Sequence, residues 1–363
     1  MARQLQSDKI LFVAVVGLVL FGALMVFSAS AVMAADRYNN ADYFLLRQLA
    51  WAAGGLIAVA ILMHTDYRRL ASPLVIFPAL ALEIILLVLV LFVDRSHNTH
   101  RWFHLGLVSF QPSELAKIIL TVFLAFFLDL RKGAVNDWKH TLVPIALVAG
   151  IMAVLVYKGR DLGTTLALGL IVAAMLFSAG LHLRYFAGVL VPGLAALWWL
   201  ISHSTYRHDR ILAFLDPYAD PLGRGFQIIQ SYIAIGNGGI TGVGLMEGKQ
   251  KLFFLPEPQT DFIFAVVGEE LGLIGAIAIV AVFALILVRG LRASAGCKDD
   301  FGRLLAIGLT VMIVGQALVN MSVVLGLLPT KGIPLPFVSY GGSSLLVNLV
   351  AVGILLNISQ QAS

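Results

Sequence analysis

Long apolar runs constrain this chain more than any other feature. Ten of them, at about 10–34, 46–64, 71–93, 113–129, 141–158, 163–179, 183–203, 261–288, 303–327 and 343–359, recur along its 363 residues. Crossing the hydrocarbon of a bilayer takes roughly 20 helical residues, because every backbone group must be paired within the segment. Composition agrees: the chain is 60% hydrophobic and 12% charged, where soluble domains run at roughly 45–50% and about 25%. The expected fold is an all-α polytopic membrane protein of about ten transmembrane helices, with a long extracytoplasmic loop, 204–260, between helices 7 and 8. The first run, Ile10 to Ala35, is too long for a signal-peptide core and reads as a retained helix. The single cysteine, Cys297, excludes an intrachain disulfide and has no partner at metal-ligand spacing. The net charge of +5 lies mostly in loops, where topology and anionic lipid account for it, so nucleic acid is not an expected partner.

An even number of spans puts both termini on one side. With the N-terminus inside, the short inner loops hold twelve basic residues and the short outer loops six. The positive-inside rule therefore makes both termini cytoplasmic. It also turns the stretch from Lys249 to Gly275 outward at the entry to span eight.

In that stretch Pro256 and Pro258 keep the chain extended. Thr260 reads as an N-cap, which places Asp261 in the first helical turn at the positive dipole end. A carboxylate there stays ionised at neutral pH; it is either a cap or a working base. Four other outward features carry charge. The loop 94–112 reads as a segment lying in the interface, with Trp102 at headgroup depth and Arg101 facing lipid phosphates or simply anchoring. Glu114 and Lys117, three apart at the start of span four, form either a structural ion pair or a substrate contact. Lys158, Arg160 and Asp161 sit on a tight turn that is either a solvated tip or part of a cavity wall. In the long loop, Phe226, Ile229 and Ile233 have helical spacing, and the glycine run 236–244 reads as a flexible hinge, since it has no Walker lysine pattern. The last outward loop, 326–344, is rich in proline and glycine. Irregular backbone of that kind survives at membrane depth only against protein or a water-filled cavity.

Read together, these stretches resemble one family. RWFHLGLVSFQPSELAK (101–117), DLGTT (161–165), FLDPYADPLGRGFQIIQSYIAIGNGGITGVGL (214–245), LPEPQTDFIFAVVGEELGLIG (255–275) and LLPTKGIPLPFVSYGGSS (327–344) are similar to the motifs of the SEDS proteins, the group of FtsW and RodA, and closer to FtsW. The resemblance implies a single SEDS-like membrane domain over 1–363 in the bacterial cytoplasmic (inner) membrane. It implies a peptidoglycan glycosyltransferase that polymerises lipid II at the outer face. The partners it implies are a class B penicillin-binding protein and other division-complex membrane proteins. The family's essential carboxylate falls on Asp261, and its further motif charges on Glu114, Lys117 and Asp161. Two departures are visible: Gln259 stands where the family usually has His, and Lys158-Gly159-Arg160 replaces its Gln-Pro.

Polymerising lipid II inverts an α-linked diphosphate sugar into a β-linkage, which needs one base, here Asp261. The diphosphate leaving group needs positive charge, for which Arg101, Lys117, Arg210 and Lys331 are candidates, with room for a divalent cation, Mg or Mn, and no metal ligands identified. The alternative is a lipid II flippase or other transporter using Glu114 and Lys117 as intramembrane coupling groups. Such proteins carry inverted repeats, and none is visible here.

Overall fold

The computed structural model describes residues 8–94, 99–106, 108–188, 205–361 and the single positions 193, 198 and 202. Eleven helices of eight or more residues are described: α1 (Lys9–Tyr38), α2 (Tyr43–Met63), α3 (Pro73–Val93), α4 (Pro112–Leu130), α5 (Val143–Lys158), α6 (Leu162–Ser178), α7 (Thr205–Leu215), α8 (Phe226–Gly238), α9 (Ile263–Gly296), α10 (Asp300–Val324) and α11 (Gly342–Gln361). The chain is a multi-pass, all-α membrane protein. Among the described residues seven helices are long and apolar enough to span: α1, α2, α3, α5 with the π-turn before it, α9, α10 and α11. Two further expected spans are α4, which carries Glu114, Lys117 and Asp129, and the 17-residue α6. The seventh, 183–203, falls largely outside the described residues.

Local sequence explains most of the boundaries. The Asp8 carboxylate accepts from Leu11 N–H to start α1, and Asp299 does the same for Gly302 N–H at the start of α10. Pro112 opens α4, where its missing N–H costs nothing. The bundle is built around α10, which packs on α4, α6, α9 and α11, while α11 packs along α2. The other faces, with Leu20, Ile57, Leu82, Phe92, Leu147 and Ile277, point outward as a lipid-facing coat should. At one end of the bundle the start of α1 meets the end of α11: Asp8 N–H lies 3.4 Å from Ser359 Oγ, and the Asp8 carboxylate pairs with Arg289 at 2.5 Å.

Three expectations change. The loop 94–112 holds a β-hairpin, β1 (Phe103–Leu105) antiparallel to β2 (Val108–Phe110), with Phe103 opposite Phe110. The Asp94 carboxylate fixes its base by accepting from the N–H groups of Arg101 and Trp102, both at 2.9 Å. The helix after Asp261 begins at Ile263, with Phe262 at its cap and no side-chain cap bond. Thr260 is not free to cap, because its hydroxyl donates to Glu257 O at 3.0 Å. Finally, the glycine run is a clamp and not a hinge. Within α9 the chain breaks at Gly272, at φ 64, a left-handed turn that glycine adopts without steric cost. The groups freed by the break pair with the run: Val243 and Gly244 N–H donate to Glu269 O and Glu270 O, and Leu273 and Ile274 N–H to Gly239 O and Ile240 O. A β-carbon on Gly242 would stand 2.1 Å from Glu270 O, so only glycine fits.

Below that clamp, Glu270 is fully buried and accepts from Ser28 Oγ (2.7 and 2.8 Å), Lys251 Nζ (2.6 Å) and Met246 N–H (3.0 Å). Glu269 accepts from Lys249 N–H at 2.9 Å. Residues 246–251 are thus pinned to α9 immediately before the segment that carries Asp261.

Candidate active site

The segment 257–261 is held as an irregular turn between α10 and the loop 327–341. Tyr340 N–H donates to Gln259 O (2.8 Å) and Ser339 Oγ to Thr260 O (2.5 Å). Asn320 on α10, 1% exposed, donates through one amide nitrogen to both Asp261 O (2.8 Å) and Ile333 O (2.7 Å). Gly332 lies against the Asp261 carboxylate: a β-carbon there would stand 2.8 Å from Asp261 Oδ2. The backbone of the 327–341 loop and the carboxylate therefore share one wall.

Charge gathers at this wall from three other elements and from the loop itself. Arg101 comes from the hairpin base, Asp161 from the α5–α6 turn, Arg210 from α7 and Lys331 from the 327–341 loop. Burial raises the Asp261 carboxyl most; Arg210 and Arg101 lower it, Glu257 and Asp161 raise it, and it settles at about 6. Burial pushes the Lys331 ammonium down to about 8, against the pull of Asp161 and with Arg210 adding to the fall. Arg210 Nη1 donates to Thr330 O at 2.7 Å, which ties α7 to the same loop. Arg101 Nε is buried with no hydrogen-bond partner among the described residues.

Asp161 is both a cap and a crosslink. It accepts from Thr164 N–H (3.0 Å) and Thr164 Oγ1 (2.8 Å) at the start of α6, and from Gln111 Nε2 (2.9 Å) and Ser113 Oγ (3.2 Å) at the start of α4. Ile333 packs against Gly163 just after the turn, so Asp161 lies in the wall, while Lys158 and Arg160 remain exposed as a solvated tip.

Glu114 and Lys117 behave differently. They pair at 2.8 Å, both almost fully buried, and Lys117 Nζ also donates to Gln316 Oε1 at 2.6 Å. Gln316 Nε2 in turn donates to Pro334 O at 2.9 Å. The pair reaches the 327–341 loop through Gln316, and it is not among the main charges that act on Asp261. Of the seven expected site residues, the structure gathers Asp261, Arg101, Asp161, Arg210 and Lys331 around one wall and sets Glu114 and Lys117 behind it. Gln316, Asn320, Ser339 and Gly332 were missed. The first two had a signal: polar residues four apart inside an apolar span share one face and need a reason to be there. Among the described residues no three His, Cys, Asp or Glu side chains gather as metal ligands.

The family model of the FtsW, RodA and SpoVE cell cycle proteins matches residues 8–363. The chain belongs to this family. It is 46% identical over 356 residues to a protein of Geobacter metallireducens named "Probable peptidoglycan glycosyltransferase FtsW", covering 97% of this chain and 94% of the relative. It is 39% identical to the stage V sporulation protein E of Bacillus subtilis, covering 99% and 98%. Two solved structures share its fold. One is a chain from a peptidoglycan synthase complex described as coordinating polymerization and crosslinking, at TM-score 0.79 and 33% identity over 98% of each chain. The other is the rod shape determining protein RodA of Thermus thermophilus, at TM-score 0.73 and 29% identity over 98% and 97%. The two structures cover nearly the whole chain, so the fold described above is the FtsW/RodA/SpoVE fold.

Proposed function

We propose that this chain, a peptidoglycan glycosyltransferase of cell division, polymerises lipid II with Asp261 as its general base. The observation that carries the reading is one carboxylate, poised near 6, facing two arginines from separate elements with a half-buried lysine on the adjoining loop. In the reaction the 4-hydroxyl of an acceptor sugar attacks the anomeric carbon of the donor. The new carbon–oxygen bond forms as the bond to the diphosphate breaks, the diphosphate leaves with the electron pair, and the hydroxyl proton passes to Asp261. Attack from the face opposite the leaving group turns the α-linkage into a β-linkage. Arg101, Arg210 and Lys331 lie where they stabilise the developing negative charge on the diphosphate. Asp161 holds the α4 and α6 starts in register around them, and Glu114 with Lys117 supports the loop from behind. A carboxyl near 6 is mostly ionised at neutral pH and still basic enough to take a proton in the transition state.

The adjacency of Asp8 and Ser359 and the excess of basic residues in the loops at that end support cytoplasmic termini, which makes the Asp261 wall extracytoplasmic. The partner on that side is a class B penicillin-binding protein that crosslinks the new strand, along with other membrane proteins of the division complex. The test is Asp261→Asn, which keeps the side-chain shape and removes the base. Polymerisation of lipid II by the purified protein with its partner should fall about 10²–10⁴-fold, with lipid II binding retained through the cations. Polymerisation within a few-fold of the parent would overturn the assignment.

A further inference from the structure

The cations that stabilise a diphosphate also weaken a base beside them. Arg210 and Arg101 both lower the Asp261 carboxyl, so the leaving-group machinery opposes the proton acceptor. Among the main groups acting on Asp261, two are negative: Glu257 on its own segment and Asp161 on the α5–α6 turn. The other elements at the wall contribute Lys331 beside Gly332 on the 327–341 loop, and from α10 the neutral Asn320. Asp161 is already engaged, accepting from Gln111, Ser113 and Thr164. Glu257 differs: its residue is exposed, and yet its placement is elaborately enforced.

Three observations define that enforcement. Glu257 has φ 48, the left-handed region, which is uncommon for a residue with a β-carbon. It also precedes Pro258, a position that favours extended backbone. Strain of this sort persists only where the surroundings over-determine it. The surroundings here are the N–H and hydroxyl of Thr260, both donating to Glu257 O at 3.1 and 3.0 Å. Gln259 supplies the third element. It is 1% exposed, and its Nε2 donates to Glu257 Oε2 at 2.9 Å. Its other amide atom, Oε1, is buried with no hydrogen-bond partner among the described residues. Burying an amide oxygen without a partner is unfavourable, so the bond to Glu257 is what the placement of this side chain secures.

We infer that Gln259 is a positioning residue for the base: by clamping the Glu257 carboxylate within electrostatic reach of Asp261, it keeps a second negative group there to offset Arg101 and Arg210. The carboxylate need not touch the sugar. Its charge keeps Asp261 a stronger base than the arginines alone would leave it, while the arginines stay free for the diphosphate. The inference rests on Asp261 acting as the base.

The test is the pH profile of lipid II polymerisation by the full chain with its partner, for the parent, Glu257→Gln, Gln259→Leu and the double variant. Protonation of Asp261 stops the reaction, so rates fall on the acid side as pH drops through about 6 in the parent. Removing the Glu257 charge should move that acid limb to lower pH by roughly half to one unit, the size expected for one neighbouring charge across a partly hydrated gap. The plateau rate should fall several-fold as the base weakens. Gln259→Leu should shift the limb in the same direction by less. The double variant should shift it no further than Glu257→Gln, because the amide acts through the carboxylate. A merely structural role would lower the rate at every pH and leave the limb in place. An unmoved limb in both single variants, with Asp261→Asn inactive, would overturn the inference and leave the base assignment standing. An active Asp261→Asn would remove both.

Discussion

Lys117→Ala probes the support behind the active-site wall. The side chain is 2% exposed and makes two bonds, to Glu114 Oε2 at 2.8 Å and Gln316 Oε1 at 2.6 Å. Truncation leaves Glu114, 3% exposed, as a buried carboxylate without its counter-ion. Breaking one partner out of a buried pair costs about 3–5 kcal/mol, and the orphaned Gln316 oxygen falls within that range. At roughly 2–4 °C per kcal/mol the Tm in detergent should drop on the order of 10 °C. Polymerisation should fall as well, because Gln316 also holds Pro334 O and with it the loop that faces Asp261. Replacing both partners by neutral groups of similar shape removes the uncompensated charge, and such replacements are often close to neutral in stability. Glu114→Gln with Lys117→Met should therefore recover the Tm to within a few degrees and most of the polymerisation. Thermal unfolding and lipid II polymerisation on the same preparations decide it. A Lys117→Ala protein that melts within about 2 °C of the parent would refute the energetic argument. A double variant that melts normally and does not polymerise would move the pair from support to substrate contact.

Gly332→Ala should cost at least about tenfold in polymerisation with little change in Tm, since the new methyl must displace the Asp261 carboxylate and small misplacements are expensive in catalysis; parental activity would mean that the carboxylate works elsewhere. Lys251→Met strips Glu270 of its counter-ion and leaves it Ser28 and Met246 N–H, so thermal unfolding should show a loss of about 3–5 kcal/mol, and an unchanged melt would show the pair to be dispensable. Burial pushes the Cys297 thiol up, with Asp299 adding to the rise, so maleimide labelling of opened membranes should be slow and should speed up with pH. In intact cells an impermeant reagent should leave Cys297 unlabelled, and labelling there would reverse the proposed orientation.

What could be read from the sequence follows the physics of each signal. Spans were legible because lipid imposes a length and a composition on any segment that crosses it. Asp261 stood out as a carboxylate at the entry to an apolar helix, whereas Arg101, Arg210 and Lys331 were candidates only as outward cations for the diphosphate that the family resemblance implies. The hairpin at 103–110 was not, since three-residue strands carry no period long enough to see. Thr260 misled for a different reason. Its residue type fits a cap, but its hydroxyl is committed to Glu257 O and its carbonyl to Ser339, contacts that only the fold reveals. The glycine run misled through its composition alone: glycines read as freedom, whereas here their missing side chains admit the backbone of a broken helix.

The same contrast explains how a membrane enzyme keeps a carboxylate at a wall made largely of irregular backbone. The turn 257–261 and the loop 327–341 have no regular ladder to share, so each exposed backbone group needs an individual partner. Those partners come from the spans: Asn320 and Gln316 from α10, Gln48 from α2 donating to Ser339 O at 3.1 Å, and Lys117 through Gln316 from α4. Each is a polar side chain that its apolar helix would otherwise exclude. Each satisfies a carbonyl of the wall directly or holds the side chain that does. Gln48, Lys117, Gln316 and Asn320 are therefore the scaffold of the candidate site, and their spacing along three separate helices fixes where Asp261 can stand.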